Sequence, residues 1–136
     1  MKYLVDANVL SEATRPEPSQ KVLQWLAKHL PESVVDPIIL GEVWYGIIRM
    51  PLGKKRSLLE QWFHFGVRNL ACLDWDRSTG LRWARLLAHL RSIGKAMPVK
   101  DSQIAATALQ HNLILVTRNK EDFRHTGVAV VDPFEG

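Results

Sequence analysis

Cysteine is nearly missing from this 136-residue chain: Cys72 stands alone. No internal disulfide can close, and a reducing cytoplasm is the expected compartment. In its apolar stretch Cys72 reads as packing rather than as a nucleophile. No apolar run approaches the roughly 18 residues that a membrane span needs. The opening MKYLVDANVL reaches Asp6 right after Tyr3-Leu4-Val5, too soon for the apolar region of a signal peptide. Glycine (8) and proline (7) are few and scattered, which excludes collagen-like and low-complexity architectures. Charge is not concentrated either. Residues 1–68 and 69–136 each hold nine basic and seven acidic residues, so the net +4 is spread over the folded body. That mild excess fits a polyanionic partner as well as an ordinary basic surface. What the chain has is 46% hydrophobic and 24% charged residues, a composition that excludes disorder. Its length fits one domain, residues 1–136.

Apolar periodicity divides the chain into alternating elements. Lys2–Val5 reads as a buried strand, too short for a helix. Ser19 caps a helix with Val22, Leu23, Leu26 and Leu30 on one face. Val34-Val35 is a second short strand closed by Asp36-Pro37, and a helix follows from Ile38 to Arg49, stopped by Pro51 and Gly53. Further helices are expected over Lys55–Arg68 and Ser78–Ile93, with Leu70–Leu73 strand-like between them and Gly94 as the stop. Pro98–Asp101 leads into an Ala-rich helix, Ser102–His111, ended by Asn112. Leu113–Thr117 is the clearest strand and Val128–Val131 the last. The strands are apolar throughout, so the pattern predicts one α/β domain with a mostly parallel sheet covered by helices on both faces. Ligands of such sheets bind at the carboxyl ends of the strands near a switch in strand order. Asp6, Thr117 and Asn119 fall there.

Several acidic residues stand where acids are unusual. Glu42 lies among Ile38, Ile39 and Tyr45 on the apolar stripe of its helix. Buried there, its carboxylate must be paired, hydrogen-bonded or metal-bound; at the stripe's edge it reaches water. Asp101 heads the face carrying Ile104, Ala105 and Ala108, and it also suits a helix cap or first turn. Asp6 suits an Asx-turn, as does Asn8, and Asn119 with Asp122 suits a capping box. Each has this plain structural reading. Together, however, four carboxylates on one cleft repel each other unless a cation binds. Oxygen donors favour Mg²⁺ or Mn²⁺, and the histidines at 29, 64, 89, 111 and 125 lack zinc-ligand spacing. Carboxylate-bound Mg²⁺ points to phosphoryl or phosphodiester chemistry.

Four segments carry a resemblance. Leu4-Val5-Asp6-Ala7-Asn8-Val9-Leu10-Ser11-Glu12 resembles the opening motif of PIN-domain ribonucleases, and Gly41-Glu42-Val43-Trp44-Tyr45-Gly46-Ile47 their second. The stretch from Pro98 through Asp101 to Ala108 resembles the third, and Leu115–Phe123 the fourth; the ending Val131-Asp132-Pro133-Phe134 also fits. The order spans the whole chain and is most similar to the VapC/FitB-like toxins of bacterial type II toxin–antitoxin modules. The resemblance implies a PIN-like domain and a metal-dependent endoribonuclease acting on RNA. Its acidic ligands would be Asp6, Glu42, Asp101 and Asp122, holding Mg²⁺ or Mn²⁺. Thr117 and Asn119 fall where the family places polar support, with Asn8 beside them. A cognate antitoxin and a homodimer are implied as well. Two positions depart from the pattern: Ala7 stands where Thr is commoner, and Lys100 directly precedes Asp101. Lys100 reads either as a phosphate contact or as a solvated first-turn residue.

Other features keep two readings. Lys54-Lys55-Arg56 is a nucleic-acid contact or a solvated helix start. Trp25, Trp44, Trp62, Trp75 and Trp83 suit packing better than base stacking. A haloacid-dehalogenase-type phosphatase needs an Asp where Asn8 stands, and a receiver-domain acceptor at Asp74 competes with a helix cap in Asp74-Trp75-Asp76. The alternative of a different class is a PIN-like subunit whose main task is DNA binding within an antitoxin complex.

Overall fold

A computed structural model describes residues 1–135. The chain runs β1 (Tyr3–Val5), α1 (Ala7–Leu10), α2 (Gln20–His29), β2 (Ser33–Val34), α3 (Pro37–Ile48), α4 (Lys54–Phe65), α5 (Arg77–Ser92), α6 (Val99–Gln110), β3 (Ile114–Val116) and β4 (Val130–Val131). The four strands are all parallel, in the order β2-β1-β3-β4. Tyr3, Leu4 and Val5 are buried without alternation, the signature of a strand covered on both faces. Leu4, Val5, Ile39, Ile104, Leu115 and Val116 form the innermost core. The chain passes from β1 to β2 on one side and later to β3 on the other. The switch in strand order therefore lies between β1 and β3, and their carboxyl ends open the crevice where ligands bind.

Short-range chemistry explains the helix ends. Asp36 caps α3 by accepting from the Ile39 amide at 2.9 Å, and Pro37 at the first helical position fixes the entry. Asp76 caps α5 through the Thr79 amide, in keeping with the cap expected in Asp74-Trp75-Asp76. Asn112, at φ 53°, closes α6, with the Leu113 amide donating to the Ala108 carbonyl at 2.8 Å.

Several expectations are corrected. α6 begins at Val99 rather than Ser102, because Pro98 takes the cap position with an extended ψ of 143°. Lys100 and Asp101 are therefore inside the first turn. α4 ends at Phe65, and Val67–Asn69 forms a separate 3-10 turn after Gly66. Leu70–Leu73 is not a strand of the sheet; it makes one isolated parallel bridge, Val35 with Cys72. Cys72 is exposed rather than packed, since that bridge lies on the outer side of β2. Helix α1 has no periodicity to betray it, being only four residues long.

The tryptophans hold elements together. Trp25 packs edge-on against Tyr3 at 5.0 Å, and Trp44 lies 4.9 Å from Phe63, joining α3 to α4. Trp83 donates to Ser102 Oγ at 2.9 Å. Trp75 donates to Thr107 Oγ1 at 3.1 Å, while that hydroxyl donates to Asp36 Oδ2 at 2.7 Å. This chain ties α6 to the cap of α3 in the dry interior, where Asp36 and Thr107 are both essentially inaccessible. Burial pushes the Asp36 carboxyl up, and the Thr107 hydroxyl and the Ile39 amide partly offset it. Thr107→Val keeps the side-chain volume but strands a buried carboxylate oxygen and an indole N–H. Chemical denaturation should show a loss of about 2–4 kcal/mol. A loss below about 1 kcal/mol would mean that the network contributes no more than an ordinary hydrogen bond.

Candidate active site

The first side chain past β1 is Asp6, 5% exposed at the crevice. Its Oδ1 accepts from the Ala7 amide at 2.8 Å and so opens α1. Its Oδ2 accepts from Thr117 Oγ1 at 2.8 Å and from Asn8 Nδ2 at 3.4 Å. Asn8 also donates to Thr117 Oγ1 at 3.1 Å and accepts from the Arg118 amide at 3.1 Å. The loop after β3 is thereby clasped to the turn after β1, with Asp6 at the centre. The plain reading of Asp6 as a turn-former is met by this geometry.

Three other acids bear on it. Glu42 rises from the middle of α3 and Asp101 from the first turn of α6. Burial raises the Asp6 carboxyl to about 6; Thr117 and Ala7 pull it back, while the charges of Glu42 and Asp101 push it further up. Burial is also the main cause that raises Asp101, with Lys100 opposing and Glu42 and Asp122 adding to the rise. Asp6, Glu42 and Asp101 thus share one field, and Asp122 reaches it through Asp101. Asp122 itself is exposed on the 3-10 turn Lys120–Phe123.

The residues suit a hard cation in chemistry, though they are not gathered into a ready cage. Among the described residues no three His, Cys, Asp or Glu side chains stand close enough to share one ion. Glu42 is engaged by a cation already. Its Oε2 accepts from Lys100 Nζ at 2.8 Å, while its Oε1 is buried with no hydrogen-bond partner. An orphaned buried carboxylate oxygen beside two carboxyls raised by burial is a set of donors that a cation would satisfy. The donors are all oxygen, which fits Mg²⁺ or Mn²⁺.

The supporting residues divide. Thr117 and Asn8 hold Asp6, whereas Asn119 is exposed and contributes its backbone amide, which donates to Thr117 Oγ1 at 3.2 Å. The capping box expected between Asn119 and Asp122 does not form: Asn119 makes no side-chain cap, and the Asp122 amide donates to its backbone carbonyl instead. Lys100 is half exposed in the first turn of α6, as a solvated residue there would be, and its ammonium is paired with Glu42. From that pair runs a cleft of about 570 Å³ bounded by α3, α4 and the segment after α1. Lys55 and Tyr45 line it, as do Arg15 and Arg49, which the sequence did not single out. Arg56 turns away to Glu60 Oε1 at 2.8 Å and the Met50 carbonyl, and Lys54 is exposed at the start of α4. Two buried acids were also missed as structural groups. Asp36 had a signal, since an Asp before Pro marks a helix start. Glu12, 6% exposed, accepts from the Ser19 amide at 2.7 Å, a contact that no local pattern announces.

Comparison with known proteins shows what the chain is similar to. Residues 3–129 match the family model of the PIN domain. The chain is 29% identical over 136 residues to VapC ribonuclease Y4jK of Sinorhizobium fredii, with 97% of each chain covered. It is 32% identical over 135 residues to Toxin FitB of Neisseria gonorrhoeae, covering 96% of this chain and 97% of that one. Among solved structures, that of FitAB bound to an IR36 DNA fragment superposes with a TM-score of 0.91 at 30% identity, covering 97% of this chain and 95% of that one.

Proposed function

The chain belongs to the PIN domain family, and from this premise we propose that it is the endoribonuclease toxin of a type II toxin–antitoxin module. The observation that carries the reading is Asp6 buried at the switch between β1 and β3, clasped by Thr117 and Asn8 and bearing the charges of Glu42 and Asp101. Asp6, Glu42 and Asp101 would hold a Mg²⁺ or Mn²⁺ ion, with Asp122 completing the acidic rim. When bound, the ion supplies a water of lowered pKa and neutralises charge that develops on the phosphodiester. The protein's own groups do the rest. Thr117 and Asn8 fix the Asp6 carboxylate in one orientation through the bonds described. Lys55, Arg15 and Arg49 along the cleft draw in and align an RNA backbone, with Lys100 at its inner end and Lys54 and Arg56 outside it.

Names among the relatives support the rest of the proposal. The S. fredii relative is called a ribonuclease and the N. gonorrhoeae one a toxin. A cognate antitoxin is therefore the proposed partner, together with a second copy of the chain as homodimer, acting in the cytoplasm. α3 suits such a partner: Tyr45 is 63% and Ile48 39% exposed although the helix already buries Ile39, Val43 and Ile47. No helix among the described residues is long and apolar enough to cross a membrane. The solved FitAB assembly on DNA supports a second role, as a subunit of a DNA-bound complex. Brief induction of the chain without its antitoxin, followed by sequencing of RNA 5′ ends, decides between them. New ends at recurring positions are the expected result. An RNA population unchanged from the uninduced cell would leave only the binding role.

A further inference from the structure

The ion pair between Lys100 and Glu42 is a contact that the proposed chemistry does not use. Lys100 Nζ sits 2.8 Å from Glu42 Oε2, although both side chains come from different helices separated by 58 residues in sequence. Pro98 sets the start of α6 so that Lys100 and Asp101 leave the same first turn. The ammonium therefore stands inside the acidic field: Glu42, Asp101 and Asp6 all act on it. Other cations have ordinary outlets, such as Arg56 on Glu60 and Arg124 on Glu121 within one helical turn. Among the described residues Lys100 is the cation paired with this cluster, and the second oxygen of its partner is left buried and unpartnered.

We propose that Lys100 is the resident counter-ion of the carboxylate site, a positioning residue that neutralises Glu42 until a divalent cation displaces it. The proposal rests on the metal-dependent reading above. With its ammonium on Oε2, Lys100 leaves only Oε1 of Glu42 open to an ion, and two cations in one cluster repel. Binding of the ion and release of Lys100 are thus linked, each weakening the other by the same factor. Lys100 also lines the cleft, so its released ammonium has open space to enter. The arrangement offsets the mutual repulsion of the carboxylates while no ion is bound, and it sets a threshold on ion concentration.

The test is Mn²⁺ titration of the full chain, with free ion counted by electron paramagnetic resonance, together with melting curves with and without Mn²⁺. Lys100→Met, which keeps the aliphatic stem, is compared with Lys100→Arg, which keeps the charge. Met is expected to tighten Mn²⁺ binding about tenfold or more, as removal of one charge from contact range implies. It should also lower the metal-free melting temperature and widen the gain on adding Mn²⁺. Arg is expected to stay within about threefold of the parent protein, its charge being unchanged. Binding by the Met variant that is equal or weaker overturns the proposal, as does an equal change in Met and Arg. If neither the parent nor the Met variant binds Mn²⁺, the metal reading itself fails and the counter-ion role falls with it. Should Met prevent folding, Lys100→Gln is read by the same criteria.

Discussion

Asp6→Asn is expected to yield a folded protein whose RNA cleavage has fallen by several orders of magnitude. Asn retains the shape of Asp and the Oδ1 acceptor for the Ala7 amide, so α1 still starts where it did. What is lost is one of the negative charges that the divalent ion requires. The effect on stability distinguishes this from a merely structural role. Burial holds the Asp6 carboxyl at about 6 rather than its ordinary 3.8, and each unit is about 1.4 kcal/mol. Keeping it ionised at neutral pH thus costs the metal-free fold about 3 kcal/mol. Asn removes that cost but sets an N–H against Thr117 Oγ1, which already accepts from Asn8 and Asn119. Rearranging this cluster costs about 1–2 kcal/mol. Metal-free stability should therefore hold or rise. A lower melting temperature with activity per folded molecule intact would defeat the assignment of Asp6.

Withdrawal of divalent ions is expected to stop cleavage completely, and Mg²⁺ or Mn²⁺ to restore it. A ribonuclease that works without metal needs groups to move protons near neutral pH, most often histidines. No histidine is among the described residues lining the cleft that runs from Glu42 and Lys100, and Lys100 there is held protonated by Glu42. Asp6, raised to about 6, is the carboxyl best able to take a proton there, and the metal requirement is tested against it directly. The same ion should stabilise the fold, by about 2.7 kcal/mol at a hundred times its dissociation constant. Cleavage in excess EDTA by a preparation free of contaminating nuclease would contradict the metal requirement.

How far the sequence could be read depends on the range of each interaction. β1 and β3 were legible because unbroken apolar runs mark strands buried on both faces, and the switch between them pointed to Asp6 and Thr117. Asn112 and Gly94 announced helix ends through their left-handed backbone, φ 53° and 67°. Contacts that only the fold creates were not legible. Thr107 and Asp36 are 71 residues apart, and Asn8 and Thr117 are 109 apart. Nothing local in either pair tells of the other. The Leu70–Leu73 run misled because apolar strand-like residues also serve in a single bridge. Cys72 misled because composition says nothing about which side of that bridge faces water. Lys100 looked like a first-turn residue and is one; its engagement with Glu42 became visible only once α3 and α6 stood side by side.

The claim on which the rest depends is that these carboxylates hold the ion. Crystals grown without metal and soaked in Mn²⁺, measured for anomalous scattering, test it most directly. The account predicts one strong peak with carboxylate oxygens of Asp6, Glu42 and Asp101 at about 2 Å. A site with no peak at saturating Mn²⁺, Glu42 still on Lys100, would contradict it; so would a peak held by other residues.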